Sequence, residues 1–362
     1  MPEQMSRRDC IVLGAGAALA LATGADAQRK GRRMEPTYAK LPRWRGFNLT
    51  EKFTLGNNKP YVEADFDMIA EWGFDFVRLP TDYRCWTDKP GVYKEAVLKE
   101  VDQAVAFGKA RGIHVNLCLH RAPGYCVNPP KEPLDMWADG ADGDEARKQF
   151  AAQWHMLAAR YKGVSSSQLS FDLVNEPSDL KAEQYERAVK AAVEGIRSAD
   201  PKRLIVADGL YWGNHPVPEL APLKIAQSTR GYSPMQISHF RASWIGGSDK
   251  WETPTWPLKI NGQTQDKEWL RKTQIEPFQA LQKLGVGVHV GEWGAFSQTP
   301  HDVVLAWMKD QLDLWKDAGW GWSMWEFRGS FGILNSGRAD VQYEDYKGLK
   351  LDRKMLELIK QG

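Results

Sequence analysis

The chain has 362 residues, with 48 Lys+Arg against 46 Asp+Glu for a net charge of +2, and is 43% hydrophobic and 26% charged. This balance excludes disordered, collagen-like and coiled-coil chains, and with no basic block beyond a short run near the start it leaves no footprint for nucleic acid. Tryptophan stands out at 16 residues; its flat apolar face and single N–H suit ligands with CH-lined faces such as sugars, although tryptophan is more often plain core.

In chain order, Ser6-Arg7-Arg8-Asp9-Cys10, the apolar run from Ile11 to Ala22 and the small-residue site Ala25-Asp26-Ala27 read as an export signal of twin-arginine type. The run is short of the ~20 apolar residues that a membrane span needs. Residues 1–27 are expected to be removed and 28–40 to form a tether. The mature protein is then exported, periplasmic or secreted, with no membrane attachment, and is expected to be a monomer. In an oxidising compartment its three cysteines divide. Cys118 lies in an apolar run and reads as a buried thiol, whereas Cys85 and Cys126 each follow a predicted strand and can meet across one rim as a disulfide.

From Leu41 onward short apolar runs alternate with longer amphipathic ones. The predicted strands are Arg45–Leu49, Phe74–Leu79, His114–Leu119, Gln168–Val174, Leu204–Ala207, Gln236–Phe240, Gly287–Gly291 and Gly321–Trp325. The predicted helices are Glu63–Trp72, Glu95–Arg111, Asp144–Tyr161, Lys181–Ser198, Val217–Lys224, Asp266–Leu284, His301–Ala318 and Asp352–Lys360. Eight strands each followed by a helical stretch predict an α/β fold, a single-domain (β/α)8 TIM barrel over 41–362. Chemistry in such a barrel collects where the strands end. Strand two ends in Arg78, strand three in His120, strand four in Asn175-Glu176, strand six in His239-Phe240-Arg241, strand seven in Glu292-Trp293 and strand eight in Trp325.

Glu176 and Glu292 are thereby placed on one rim although 116 residues apart in sequence. Two carboxyl groups across a cleft are what glycosidic cleavage uses, one as general acid and then base, the other as nucleophile. Arg78 is available to hold Glu292 as the anion, and Asn175 offers a donor and an acceptor to a sugar hydroxyl. Trp293 and Trp325 add faces for stacking on a sugar. No Cys/His spacing resembles a zinc site.

The ordered set Arg45-Gly46-Phe47-Asn48, Phe76-Val77-Arg78-Leu79-Pro80, His120 with Ala122-Pro123-Gly124, Asn175-Glu176-Pro177, His239-Phe240, Gly291-Glu292-Trp293 and Trp325 resembles the cellulase family of glycoside hydrolases, family 5 of the retaining clan with catalytic glutamates on strands four and seven. The resemblance runs from about Trp44 to the last helix. It implies Glu176 as acid/base, Glu292 as nucleophile, Trp325 as the platform under the sugar, supporting places for Arg78, His120, Asn175 and His239, and no metal or organic cofactor. Many members carry His-x-Tyr at the end of strand six, the tyrosine bonding the nucleophile. Here that spacing reads His239-Phe240-Arg241, so Arg241 is expected beside Glu292 as a second cation favouring its anion, or facing an acidic substrate group.

The expected activity is retaining, double-displacement hydrolysis of β-linked glucan, of the endo-β-1,4-glucanase kind. β-1,3-Glucan, mannan or an acidic polysaccharide are alternatives; Arg84, Arg121 and Arg328 on rim loops are expected to pair with acids such as Asp82, Asp88 or Glu326, and otherwise to meet acidic groups of the substrate. The rivals from other classes are a metal-dependent barrel hydrolase, against which strand one offers Asn48 and Thr50 rather than a paired-His ligand set, and a non-catalytic carbohydrate-binding protein using the tryptophans. The loops Arg121–Gly143 and Arg241–Gln265 are long enough either to leave the cleft open or to block one end.

Overall fold

A computed structural model describes residues 35–362; the expected export signal and residues 28–34 of the tether lie outside the described residues. Eight parallel strands close on themselves: β1 (Arg45–Asn48), β2 (Phe76–Asp82), β3 (His114–Ala122), β4 (Leu169–Asp172), β5 (Ile205–Asp208), β6 (Ala226–Gly231), β7 (Val288–Trp293) and β8 (Gly321–Met324). Each pairs with its sequence neighbour, and β8 pairs with β1 to complete the ring, Arg45 opposite Trp322 and Phe47 opposite Met324. This is the predicted (β/α)8 barrel.

The longer helices, α1 (Glu63–Glu71), α2 (Glu95–Arg111), α3 (Ala141–Arg160), α4 (Ala182–Ala199), α5 (His301–Ala318) and α6 (Arg353–Gln361), fall where periodic apolar positions predict them. α2 stops at Gly112, whose φ of 67° gives a left-handed cap that a side chain would disfavour. After β5 the predicted helix is instead a 3-10 segment, Pro218–Leu223; Pro218 suits its first position, but Pro222 inside it lacks the N–H that an α-helix would bond to the Pro218 carbonyl.

The sixth strand corrects the sequence reading. Gln236–Phe240 is not a strand: Met235–Ser238 forms one helical turn behind Pro234. The strand is Ala226-Gln227-Ser228-Thr229-Arg230-Gly231, polar yet buried along its whole length. Gln227 and Thr229 point outward and bond the backbone of Val217 and Gly213. Ser228 and Arg230 alternate with them and meet each other inside the barrel. A strand whose partners are polar carries no apolar run to find.

Ten of the 16 tryptophans (Trp44, Trp72, Trp86, Trp137, Trp154, Trp293, Trp307, Trp315, Trp320 and Trp322) are buried, so most of the surplus builds the layer between strands and helices. Gly46 is required by close approach: a Cβ there would lie 1.7 Å from the Phe76 carbonyl oxygen. Cys85, Cys118 and Cys126 are all free thiols. The expected Cys85–Cys126 bond does not form, since Cys85 Sγ faces the carbonyls of Lys52 and Thr54 while Cys126 Sγ faces that of His120. No helix among the described residues is long and apolar enough to cross a membrane.

Candidate active site

Strand alternation points Arg78, Asp172, Asp208, Arg230 and Glu292 at the barrel axis near the carboxyl ends of their strands, where all are buried. Charges in such a place persist only if they neutralise one another with their hydrogen bonds satisfied. Arg78 has five N–H donors and five contacts: Asp172 Oδ2 at 2.8 Å, Asn48 Oδ1 at 3.1 Å, Glu292 Oε1 at 2.5 Å, Cys118 Sγ at 3.0 Å and Asn175 Oδ1 at 2.9 Å. Asn48 is fixed in turn by donating to the backbone carbonyls of Gly291, Ser323 and Met324. The second oxygen of Glu292 accepts from the Tyr232 hydroxyl at 3.1 Å. Glu292 is thus held as an acceptor from both sides.

Glu176 sits just beyond β4 with φ at +50°, a left-handed conformation uncommon for a side-chain-bearing residue. Two contacts hold it there. Its N–H donates to Asp208 Oδ2 at 2.8 Å and its carbonyl accepts from Tyr125 Oη at 2.6 Å. Arg230 Nε donates to Glu176 Oε1 at 3.0 Å. Burial, and then the charge of Glu292, push the Glu176 carboxyl up to about 7, against the pull of Arg230. Burial and the neighbouring Asp208 also raise Asp172, to about 6. One carboxyl ready to hold a proton near neutrality and another gripped by donors is the division of labour an acid and a nucleophile need.

Asn175 Oδ1 accepts from both Arg78 and Arg230, at 2.9 Å each, so its amide orientation is fixed and its Nδ2 is left buried without a protein partner. His120 donates from Nε2 to Asn128 Oδ1 at 2.7 Å, leaving Nδ1 unpartnered as an acceptor. Burial lowers its pKa to about 3, so it is neutral. Its ring stacks beside Trp325, with centroids 5.9 Å apart. His239 lies against the Tyr232 ring at 5.2 Å, bonds Ser238 Oγ, and is pulled down to about 4 by burial. Orphaned polar atoms around a half-buried indole are what a polyhydroxylated ligand would satisfy. Among the described residues no group of three His, Cys, Asp or Glu side chains could hold a metal ion.

Two expected site residues lie elsewhere. Trp293 follows Glu292 on the same strand, so alternation turns it outward, where it is fully buried between Trp315 and Trp322. Arg241 is exposed, its guanidinium over the Phe240 ring. The tyrosine and cation at Glu292 come instead from Arg230-Gly231-Tyr232, the His-x-Tyr spacing with arginine at its first position. The rim arginines are paired: Arg84 with Asp82, Arg121 with Glu132, and Arg328 with Asp65. Sequence reasoning missed Asp172, Asp208, Arg230, Tyr232 and Tyr125. The spacing Arg-x-Tyr after a short polar run was the one signal that pointed to two of them.

The chain matches the model of the family described as cellulase (glycosyl hydrolase family 5) over residues 31–330. It is 26% identical over 310 residues to endoglucanase C of Acetivibrio thermocellus, covering 78% of this chain and 89% of that protein. It is 23% identical to cellodextrinase A of Ruminococcus flavefaciens, covering 68% and 72%. Among solved structures, a glycoside hydrolase superposes with a TM-score of 0.82 at 41% identity over 88% of this chain and 99% of that one. Cel5A of Thermotoga maritima, in complex with cellobiose as a mutant form, superposes with a TM-score of 0.70 at 23% identity over 88% and 96%.

Proposed function

Because the chain belongs to the cellulase family, glycosyl hydrolase family 5, and is a cellulase-like glycoside hydrolase acting on β-glucans, we propose that it cleaves β-1,4-linked glucan internally, with retention, using Glu176 and Glu292. The observation that carries the assignment is the contrast between the two carboxyl groups. Glu292 accepts from Arg78 and Tyr232, whereas Glu176 is raised to about 7 by burial and by Glu292 itself.

In the first step a Glu292 oxygen bonds the anomeric carbon as the glycosidic C–O bond breaks, and the Glu176 proton passes to the leaving oxygen. In the second, water gives a proton to Glu176 and its oxygen to the anomeric carbon, and the bond to Glu292 breaks. Asn175 Nδ2 is placed to donate to the hydroxyl beside the reacting carbon, and the neutral His120 Nδ1 to accept from another. Trp325 supplies the apolar face beneath the ring. The pairing of Arg84, Arg121 and Arg328 with acids favours a neutral chain over a uronate-bearing one. Delivery to the periplasm or medium through the twin-arginine route completes the reading, on the strength of residues 6–27.

The test is hydrolysis of defined β-1,4-glucan, β-1,3-glucan, mannan and uronate-containing oligosaccharides by wild type and Glu292→Ala. Cleavage of the β-1,4-glucan with a loss of several orders of magnitude in the variant is expected. Near wild-type turnover by Glu292→Ala would overturn the assignment. Cleavage of acidic chains alone would move the substrate to a charged polysaccharide and give Arg241 a place in its recognition.

A further inference from the structure

Arg230 stands where the family spacing carries histidine, and its contacts differ in kind from those an imidazole can make. The guanidinium donates through Nε to Glu176 Oε1 at 3.0 Å, through Nη2 to Asn175 Oδ1 at 2.9 Å, and through Nη1 and Nη2 to both oxygens of Asp208. The same Nη2 lies 3.5 Å from Glu292 Oε1. One fully buried cation therefore touches both carboxyl groups of the proposed reaction. It is anchored from behind by Asp208, which also accepts the Glu176 amide N–H.

We infer that Arg230 is a positioning residue which serves whichever of the two glutamates carries the negative charge, and which dictates the oxygen of Glu176 that holds the proton. The inference rests on the reading of Glu176 and Glu292 given above. A guanidinium only donates and stays charged. Glu176 Oε1 is therefore committed as an acceptor, and the acidic proton belongs on Oε2. When Glu292 bonds the anomeric carbon it loses its charge, and Glu176 gains one by passing its proton to the leaving oxygen. When water completes the cycle, the charge returns to Glu292 as Glu176 recovers a proton. Arg230 neighbours both sites, so the charge moves between two partners of one fixed cation with no side chain having to swing. An imidazole, which can lose its proton and either donate or accept, imposes neither condition.

The charged and titratable groups facing this guanidinium are Arg78 from β2, Cys118 and the neutral His120 from β3, Asp172 and Glu176 from β4 and its end, Asp208 from β5, and Glu292 and the neutral His289 from β7. Tyr232 follows it just past the end of its strand, and Tyr185 from α4 and Tyr125 bond the backbones of Asp208 and Glu176. Removing the cation leaves Glu176 facing Asp208 and Glu292 uncompensated, which favours its protonated form. Neutralising Asp208 while keeping Arg230 does the opposite.

The experiment measures kcat/KM against pH for wild type, Arg230→Gln, Arg230→Lys and the isosteric Asp208→Asn. It uses one aryl β-cellobioside with a good leaving group and one unactivated cello-oligosaccharide. The expected result is an alkaline limb moved up by about one pH unit in Arg230→Gln and down by a similar amount in Asp208→Asn. Arg230→Gln should lose about 100-fold more on the unactivated substrate than on the activated one, since general acid assistance is worth roughly that much. Arg230→Lys should recover part of the loss. Limbs that stay put or move the same way in both variants, or equal losses on the two substrates, would make the Arg230–Asp208 pair purely structural. Asp208→Asn carries the test if Arg230→Gln fails to fold. Glu292→Ala on the same substrates separates the two readings. If it keeps its turnover, the assignment of the glutamates falls and this inference with it; if it is inactive and the limbs do not move, only the role of Arg230 falls.

Discussion

The Tyr232 hydroxyl donates to Glu292 Oε2 at 3.1 Å, on the side of that carboxylate away from Arg78. The bond orients the proposed nucleophile without neutralising it. Tyr232→Phe removes one donor and no apolar surface, so the fold should be kept and kcat should fall about 10- to 100-fold, in proportion to one lost hydrogen bond to a charged group. Steady-state kinetics on a soluble glucan decide it. A kcat equal to wild type would mean the contact does not matter to the reaction.

Glu176 is raised to about 7 by burial and by Glu292. As the proposed acid it must be protonated to act, so kcat/KM should hold below pH 7 and fall tenfold per unit above it. A pH profile flat to pH 9 would contradict this. The decline should be shallower on a substrate with an activated leaving group, which needs less protonation.

Asn175 accepts from two guanidinium groups and keeps Nδ2 free. Asn175→Ala strips both arginines of an acceptor and, on the proposed reading, the substrate of a donor. A loss of about 100-fold or more in kcat/KM is expected. Asn175→Ser, which puts one hydroxyl able to donate and accept in place of the amide, should restore part of it, as measured on the same oligosaccharide.

Acid stability follows from the sign of two opposing sets of shifts. Burial lowers His120, His239 and His289 to about 3, 4 and 3 from 6.5, so below pH 6.5 the unfolded chain binds protons that the folded chain does not, and stability falls. Burial raises Glu51, Glu176, Glu326 and Asp172 to about 7, 7, 7 and 6, so between those values and about 4 the folded chain binds the extra protons, and stability rises as pH falls. The two sets oppose each other between about pH 4.5 and 6.5. Below about 4.5 the unfolded carboxyl groups protonate too, and the imidazoles then cost up to about 1.4 kcal/mol per pH unit each. Thermal unfolding should give a plateau above pH 5 and a steep fall below 4.5. A steady decline starting at pH 6.5 would show that the carboxyl groups do not compensate.

Gly46→Ala places a methyl 1.7 Å from the Phe76 carbonyl oxygen, an atom that cannot move without parting β1 from β2. A destabilisation of about 3 kcal/mol or more is expected, beyond ordinary overpacking because the clash is with backbone. Denaturant titration with an unchanged midpoint would refute it.

Seven of the eight strands were legible because they carry apolar runs, and Arg78, Glu176 and Glu292 were legible because they end such runs. β6 was not, since Gln227, Thr229 and Arg230 are buried by bonding Val217, Gly213 and Asp208 on preceding segments, and Ser228 by bonding Arg230, partners that no apolar run announces. That one displacement put Arg241 where Arg230 belongs and hid Tyr232. Trp293 was misread for a simpler reason: period-two alternation sends it to the opposite face from Glu292, and the motif alone does not say which neighbour faces the axis. The cysteine pairing failed because being near a rim does not aim two side chains at each other.

The closed ring of side chains at the top of the barrel also has a charge balance. With Glu176 protonated, the cations are Arg78 and Arg230, and the anions are Asp172, Asp208 and Glu292. Between about pH 6 and 7, where Glu176 holds its proton and Asp172 has lost its own, the balance is one excess negative charge, in place before any sugar arrives. A glycosyl carbon losing its leaving group becomes oxocarbenium-like and positive. On the proposed mechanism the standing field of that excess charge is expected to favour the half-broken sugar over the intact one, and ring-nitrogen sugar mimics that carry a positive charge should bind the site more tightly than neutral sugars of the same shape.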